Sequence, residues 1–128
     1  MPIEPDEKQF AEVAALAGGE ADGPLVMLNL NRYRDRAAYE RYGGVAMSVL
    51  ERVGGRILWQ AQAHQTVIGD DSDLYDEVIA VWYPRRSAFI ELATAREILE
   101  ARDDRATGLE RAALICCEAG AEPALVWP

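Results

Sequence analysis

The sequence predicts an α+β domain, a four-stranded antiparallel sheet with two helices on one face, in the order strand, helix, strand, strand, helix, strand. Three observations predict it. Pro24 to Arg34, PLVMLNLNRYR, is apolar enough for a central strand. Arg56 to Gly69 and Glu77 to Pro84 read as two further strands around an acidic loop. Two stretches with apolar residues at helical spacing separate the first strand from this pair and the pair from a last strand, Leu109 to Glu118. That order is the split βαβ, or ferredoxin-like, pattern.

A chain of 128 residues, half of them hydrophobic, is most simply one domain spanning residues 1–128. It divides into an accessory helix over about 5–17, a core over about 24–118 and a tail over 119–128. The net charge of -9 disfavours neutralisation of phosphates, so nucleic acid is not an expected partner. No run approaches the ~20 apolar residues of a membrane helix. The start MPIEPDEK lacks a basic segment followed by an apolar one, so a cytoplasmic protein away from membranes is expected. Adjacent Cys116 and Cys117 read as small core residues on opposite faces of a strand. One His and two thiols make no conventional zinc site, and neither metal nor cofactor is expected.

In order, Asp6 is placed to cap the accessory helix with Gln9 three residues on, and Gly18-Gly19 stops it. In the central strand, Leu28 and Leu30 bracket one face, while Met27, Asn29 and Asn31 share the other. One face reads as core, and the other as a lined cavity or a solvated edge. Asp35 stands where an N-cap is wanted for a long helix whose stripe is Tyr39, Tyr42, Ala46, Val49 and Val53, and Gly54-Gly55 ends it. Gly43-Gly44 inside that helix costs about 1 kcal/mol per residue against Ala, which predicts a kink or close contact with the sheet.

The second strand is long, with a bend or bulge, and DDSDLYD is a solvated hairpin turn lacking the Gly of a calcium loop. After Pro84 a helix begins near Phe89, and Thr94 with Glu97 predicts a capping box where it restarts and runs toward Asp103. Met27, one face of the second strand and parts of the third and fourth are too apolar to leave in water. That predicts a homodimer through the sheet face.

Pro24 to Asn29 with Leu30 and Tyr33, Tyr39 and Tyr42, Gly54-Gly55-Arg56, Tyr83-Pro84 and Arg105, in this order and spacing, resemble the uncharacterised family called domain of unknown function 1330, of the dimeric α/β-barrel superfamily. The resemblance covers nearly all of Asp6 to Glu118. It departs at Ala95-Arg96-Glu97-Ile98, where the family usually has an acidic or Pro-Glu-Tyr type segment. It implies two ferredoxin-like subunits pressing their sheets together, with a pocket between each sheet and its own helices or the partner's edge. Superfamily relatives include cofactor-free monooxygenases, lactone isomerases, polyketide cyclases and haem-using enzymes, and the fold does not choose among them.

His64, the only His, is the candidate proton-transfer group. Asn29 is the candidate to orient a carbonyl or enolate, and Arg105, carried over by resemblance, to pair with a carboxylate. Each also has a structural reading: His64 partly exposed, Asn29 at a strand end or bulge, Arg105 paired with Asp103, Asp104 or Glu110. Tyr42, Trp59 and Tyr83 are the candidate pocket walls. Two functional readings stand. One is a cofactor-independent enzyme of isomerase, cyclase or monooxygenase type, working by proton transfer on a small apolar, anionic or carbonyl-bearing compound. The other is a non-catalytic dimeric module that binds such a compound or a partner.

Overall fold

The computed structural model describes residues 3–124. Helix α1, Glu7–Ala14, starts at Asp6, whose carboxylate accepts from Gln9 N–H while the Gln9 side chain accepts from Asp6 N–H, so the expected capping box is complete. Strand β1 is Leu25–Tyr33 and helix α2 is Arg36–Arg52, capped by Asp35 through Ala38 N–H at 3.2 Å. Gly54 takes the left-handed φ of 85° that ends α2. Strands β2, Arg56–Gln62, and β3, Glu77–Tyr83, follow. Three short helices come next, α3 (Arg86–Ala93), α4 (Arg96–Glu100) and α5 (Arg102–Gly108), and then strand β4, Leu109–Glu118. The antiparallel sheet has the order β2-β3-β1-β4.

The helices cover the face that carries Leu25, Met27, Val81 and Tyr83, which pack with Val49, Leu50, Phe89, Leu92 and Ile98 as the core. Met27, Asn29 and Asn31 share a face as alternation requires, but that face is the covered one, which corrects the placement of Met27 on the bare side. Leu28 and Leu30 lie on the opposite face with Val78, Ala80 and Ile115, their cross-strand neighbours.

Strand β2 ends at Gln62, well short of Gly69. Its last ladder partner is Glu77, where β3 begins, and Asp76 before it makes the closing contacts, donating to the Asn31 carbonyl at 2.8 Å and accepting from Ala63 N–H at 2.9 Å. Residues 63–76 therefore form a loop, with a single 3₁₀ turn at Asp71–Asp73 where a hairpin turn was expected. The register of β2 shifts between Ile57 and Trp59, which makes Leu58 the extra residue of a bulge. Ile57 and Gln60 consequently share the covered face, and Trp59 shares the other with Ala80.

The helical segment before β4 is broken at Thr94-Ala95 and at Ala101. Thr94 makes no capping box; its hydroxyl donates back to the Ile90 carbonyl at 2.7 Å and closes α3. The N-terminus of α3 is capped from a distance by Asp22, which accepts from Ser87 N–H at 3.1 Å and from Gly18 N–H at 2.7 Å. Cys116 is exposed and Cys117 half-buried, not core residues, because β4 is an edge strand. In the tail, the Gly120 carbonyl accepts from Trp82 Nε1 at 3.1 Å, and Val126-Trp127 lie outside the described residues.

Glycine sorts into two kinds here. At Gly43 and Gly44 a β-carbon would meet nothing within 4 Å, so α2 runs unbroken and the expected close contact is absent. Gly108 is the close-approach residue instead: a β-carbon there would lie 2.7 Å from both N and Cβ of Tyr39. Its carbonyl also accepts from Arg34 N–H at 2.8 Å, so neither backbone can retreat. Gly44→Ala should raise stability by about 1 kcal/mol through helix propensity. Gly108→Ala should lower it by roughly 1–3 kcal/mol through forced overpacking. Urea unfolding of the two variants checks both signs.

Candidate functional site

Between the covered face of the sheet and the helices lies a cavity of about 1000 Å³. Met27, Ile57, Ile79, Val81, Leu50 and Leu92 give it apolar walls, and Phe10 and Ala11 of α1 close part of its mouth. Its polar side is built by β1, β3 and the first turns of α2. Asn31 and Glu77 stand directly opposite each other on neighbouring strands, and both are buried. A buried amide or carboxylate has to be paired, and α2 supplies much of the pairing. The Tyr33 hydroxyl donates to Glu77 Oε1, and Arg36 Nη2 donates to Glu77 Oε2 at 3.4 Å. Asn31 Nδ2 donates to the hydroxyl oxygens of Tyr39, at 3.2 Å, and Tyr33, at 3.5 Å.

The phenol rings form a row. Tyr33 and Tyr39 have centroids 5.0 Å apart, and Tyr39 and Tyr42 are 5.5 Å apart. The Arg36 guanidinium lies 5.1 Å from the Tyr33 ring centre and that of Arg105 5.9 Å from the Tyr42 ring centre. Burial pushes the Tyr33 hydroxyl well above the usual phenol range, and its bond to Glu77 adds to that. Burial raises Tyr39 and Tyr42 as well, against the opposing pull of Arg105. Burial also raises Tyr83. Around neutral pH these four are neutral hydroxyls that can donate.

The structure brings four of the candidate residues, Asn29, Arg105, Tyr42 and Tyr83, to the cavity wall and leaves two outside it. His64 is exposed in the loop after β2, and β3 separates β2 from β1, so His64 is not on a strand next to Asn29. Trp59 is turned to the opposite face by the bulge and is 40% exposed there. Asn29 has its amide nitrogen directed to the carbonyls of Met27, at 3.2 Å, and Ile79, at 3.4 Å. What it has left for a ligand is an oxygen that accepts, which suits a hydroxyl or N–H, not the carbonyl or enolate first considered. Arg105 donates to the Ile3 carbonyl, a tie to the N-terminal segment rather than to Asp103, Asp104 or Glu110.

Sequence reasoning gave no role to Asn31, Glu77, Arg36 or Tyr39. The available signal was parity: Asn31 and Tyr33 continue the face of Asn29, and Tyr39 and Tyr42 are three residues apart on one helix face.

The fold and site together define a ferredoxin-like α+β protein with a tyrosine-lined cavity beneath its helices. The chain belongs to the family described as Domain of unknown function (DUF1330), whose model matches residues 24–119. It is 32% identical to a protein of unknown function from Rhodopseudomonas palustris, over 91% of this chain and 95% of that one, with a TM-score of 0.83. A dabb family protein with a ferredoxin-like fold from Mesorhizobium loti is 14% identical over 76% of this chain and 97% of that one, with a TM-score of 0.53. A cofactor-independent oxygenase from Streptomyces nogalater is 10% identical over 77% and 96%, with a TM-score of 0.50. The last two share the fold. No curated protein matches the chain.

Because Asn31 is 3% exposed and its amide serves two phenol oxygens, Asn31→Ala should cost about 1–3 kcal/mol. Asn29→Ala should cost less, since the carbonyls it touches stand in the main sheet. Chemical denaturation ranks the two, and an equal or reversed order would contradict this account of the polar wall.

Proposed function

We propose that this protein binds a small, largely apolar compound carrying a carbonyl or carboxylate group in the cavity between sheet and helices. The observation that carries the reading is the cavity itself, about 1000 Å³, whose apolar walls converge with tyrosine hydroxyls and Arg105 on one wall. That combination of apolar bulk and few oriented polar groups is the usual make-up of a small-molecule site. A second reading, a cofactor-independent enzyme acting by proton transfer, is favoured by the Tyr33 hydroxyl bonded to Glu77 at the cavity wall, a neutral donor coupled to a carboxylate. On either reading Arg105 and Tyr42 hold the ligand and His64 does not touch it. A metabolite screen by thermal shift should find apolar carbonyl or carboxylate compounds that stabilise the protein. Arg105→Ala should then weaken such a compound by about tenfold or more, and His64→Ala should leave its affinity unchanged, as read by calorimetry. Loss of binding on His64→Ala would move the site elsewhere, and turnover of a bound compound would select the enzyme reading.

The same reading includes a homodimer formed through the open sheet face. Val26, Leu28, Leu30 and Val78 are half-buried there, and Trp59 and Ile115 are 40% and 50% exposed. A contiguous apolar face of this kind is costly in water, at about 25 cal/mol per Å². Light scattering at micromolar concentration should give twice the mass of one chain, and Leu28→Asp should give a monomer or an unfolded chain. A folded wild-type monomer would remove the dimer from the proposal.

A further inference from the structure

The hydrogen bonds of the polar wall have a direction, and that direction specifies what the cavity lacks. Glu77 is the sink: its carboxylate accepts from Arg36 and from the Tyr33 hydroxyl. With its proton spent on Glu77, Tyr33 presents an oxygen, and Asn31 Nδ2 donates to it. The other amide hydrogen of Asn31 goes to the oxygen of Tyr39. Tyr39 thus receives a hydrogen bond and keeps its own proton, for which no acceptor is found among the described residues. Tyr42 is in the same position, because the group beside it is the Arg105 guanidinium, which has only donors. Arg105 gives one N–H to the Ile3 carbonyl and has others to give. Three donor groups therefore meet along one wall of an apolar cavity without a matching acceptor.

The nearby acids do not supply it. Glu77 is engaged as described, and Glu40 accepts from Arg36 at 3.4 Å on the exposed side of α2. Glu4, Asp6 and Glu7 border the cavity from the exposed N-terminal segment, where Asp6 is occupied with capping α1. Half-buried hydroxyl donors that stay neutral beside a permanent cation are an arrangement that stabilises an anionic oxygen. We infer that Tyr39, Tyr42 and Arg105 form a receptor for a carboxylate, and that the compound bound is the anion of an apolar acid. This rests on the reading of the cavity as a small-molecule site and narrows it.

Three probes of one shape separate the possibilities: 2-naphthoate, 2-acetonaphthone and 2-naphthalenemethanol, which present a carboxylate, a neutral carbonyl and an alcohol on the same body. Isothermal titration of the full chain at pH 7.5 should show the carboxylate bound about tenfold or more tighter than the alcohol, with the ketone between them. Tyr39→Phe and Arg105→Gln should each bring the carboxylate-to-alcohol affinity ratio toward one, while circular dichroism and continued binding of the alcohol show that the cavity is intact. Equal affinities of carboxylate and alcohol in the wild type, or a ratio that neither variant moves, would overturn the carboxylate receptor and leave the small-molecule site standing. Failure of all three probes to bind would overturn both.

Discussion

The pairing of Asn31 with Glu77 across β1 and β3 is the constraint from which the site follows. Both side chains are buried at directly opposite positions, and neither can remain unpaired without a penalty of the order of a hydrogen bond or more. Their partners come from the end of β1 and the start of α2, so satisfying them fixes how α2 is rotated about its axis. With Tyr39 turned toward Asn31, helical geometry carries Tyr42, Gly43 and Ala46 round to the same cavity. Gly108 closes the arrangement from the other side, because its lack of a side chain lets the end of α5 press against the backbone of Tyr39. Arg105, one turn earlier on α5, is thereby brought over the Tyr42 ring.

The two faces of the sheet divide the molecule's tasks. The face under the helices mixes core with cavity, so that Met27 and Val81 both pack in the core and line the cavity wall. Among the described residues the opposite face is apolar without being enclosed, apart from Trp82, whose indole N–H donates to the Gly120 carbonyl of the tail. Shared topology with a cofactor-independent oxygenase of 10% identity establishes the fold and leaves the chemistry to the side chains. In this chain those are phenols, one half-buried guanidinium and an amide already engaged with the backbone.

Much of the fold was legible because it rests on local signals. The capping residues Asp6 and Asp35, the stop at Gly54, the alternation of β1 and β3 and the extent of β4 are each set by neighbours in sequence. The features that were missed depend on distant partners. Where β2 ends is decided by where β3 begins, 15 residues away from Gln62 at Glu77, and no property of His64 itself signals that it lies past that point. Thr94 and Glu97 carry the pattern of a capping box, yet the hydroxyl found a nearer acceptor one turn back at Ile90. Asn29 stood out as a polar residue in an apolar strand, but its amide is consumed by two carbonyls. Asn31, equally visible, gained its role from tyrosines brought in by the helix.

The bulge at Leu58 gives β2 a property that a regular strand lacks. Two residues of this strand, Gln60 in the cavity and Trp59 on the open face, owe their sides to a single extra residue. Flattening the bulge with Leu58 kept would exchange them, setting an indole among the tyrosines and an amide on the apolar face, whereas deleting Leu58 would leave Trp59 opposite Ala80 and Gln60 opposite Ile79. Whether one residue of β2 is bulged or paired thus decides at once what lines the cavity and what stands on the open sheet face, a link that a point substitution on a regular strand does not make.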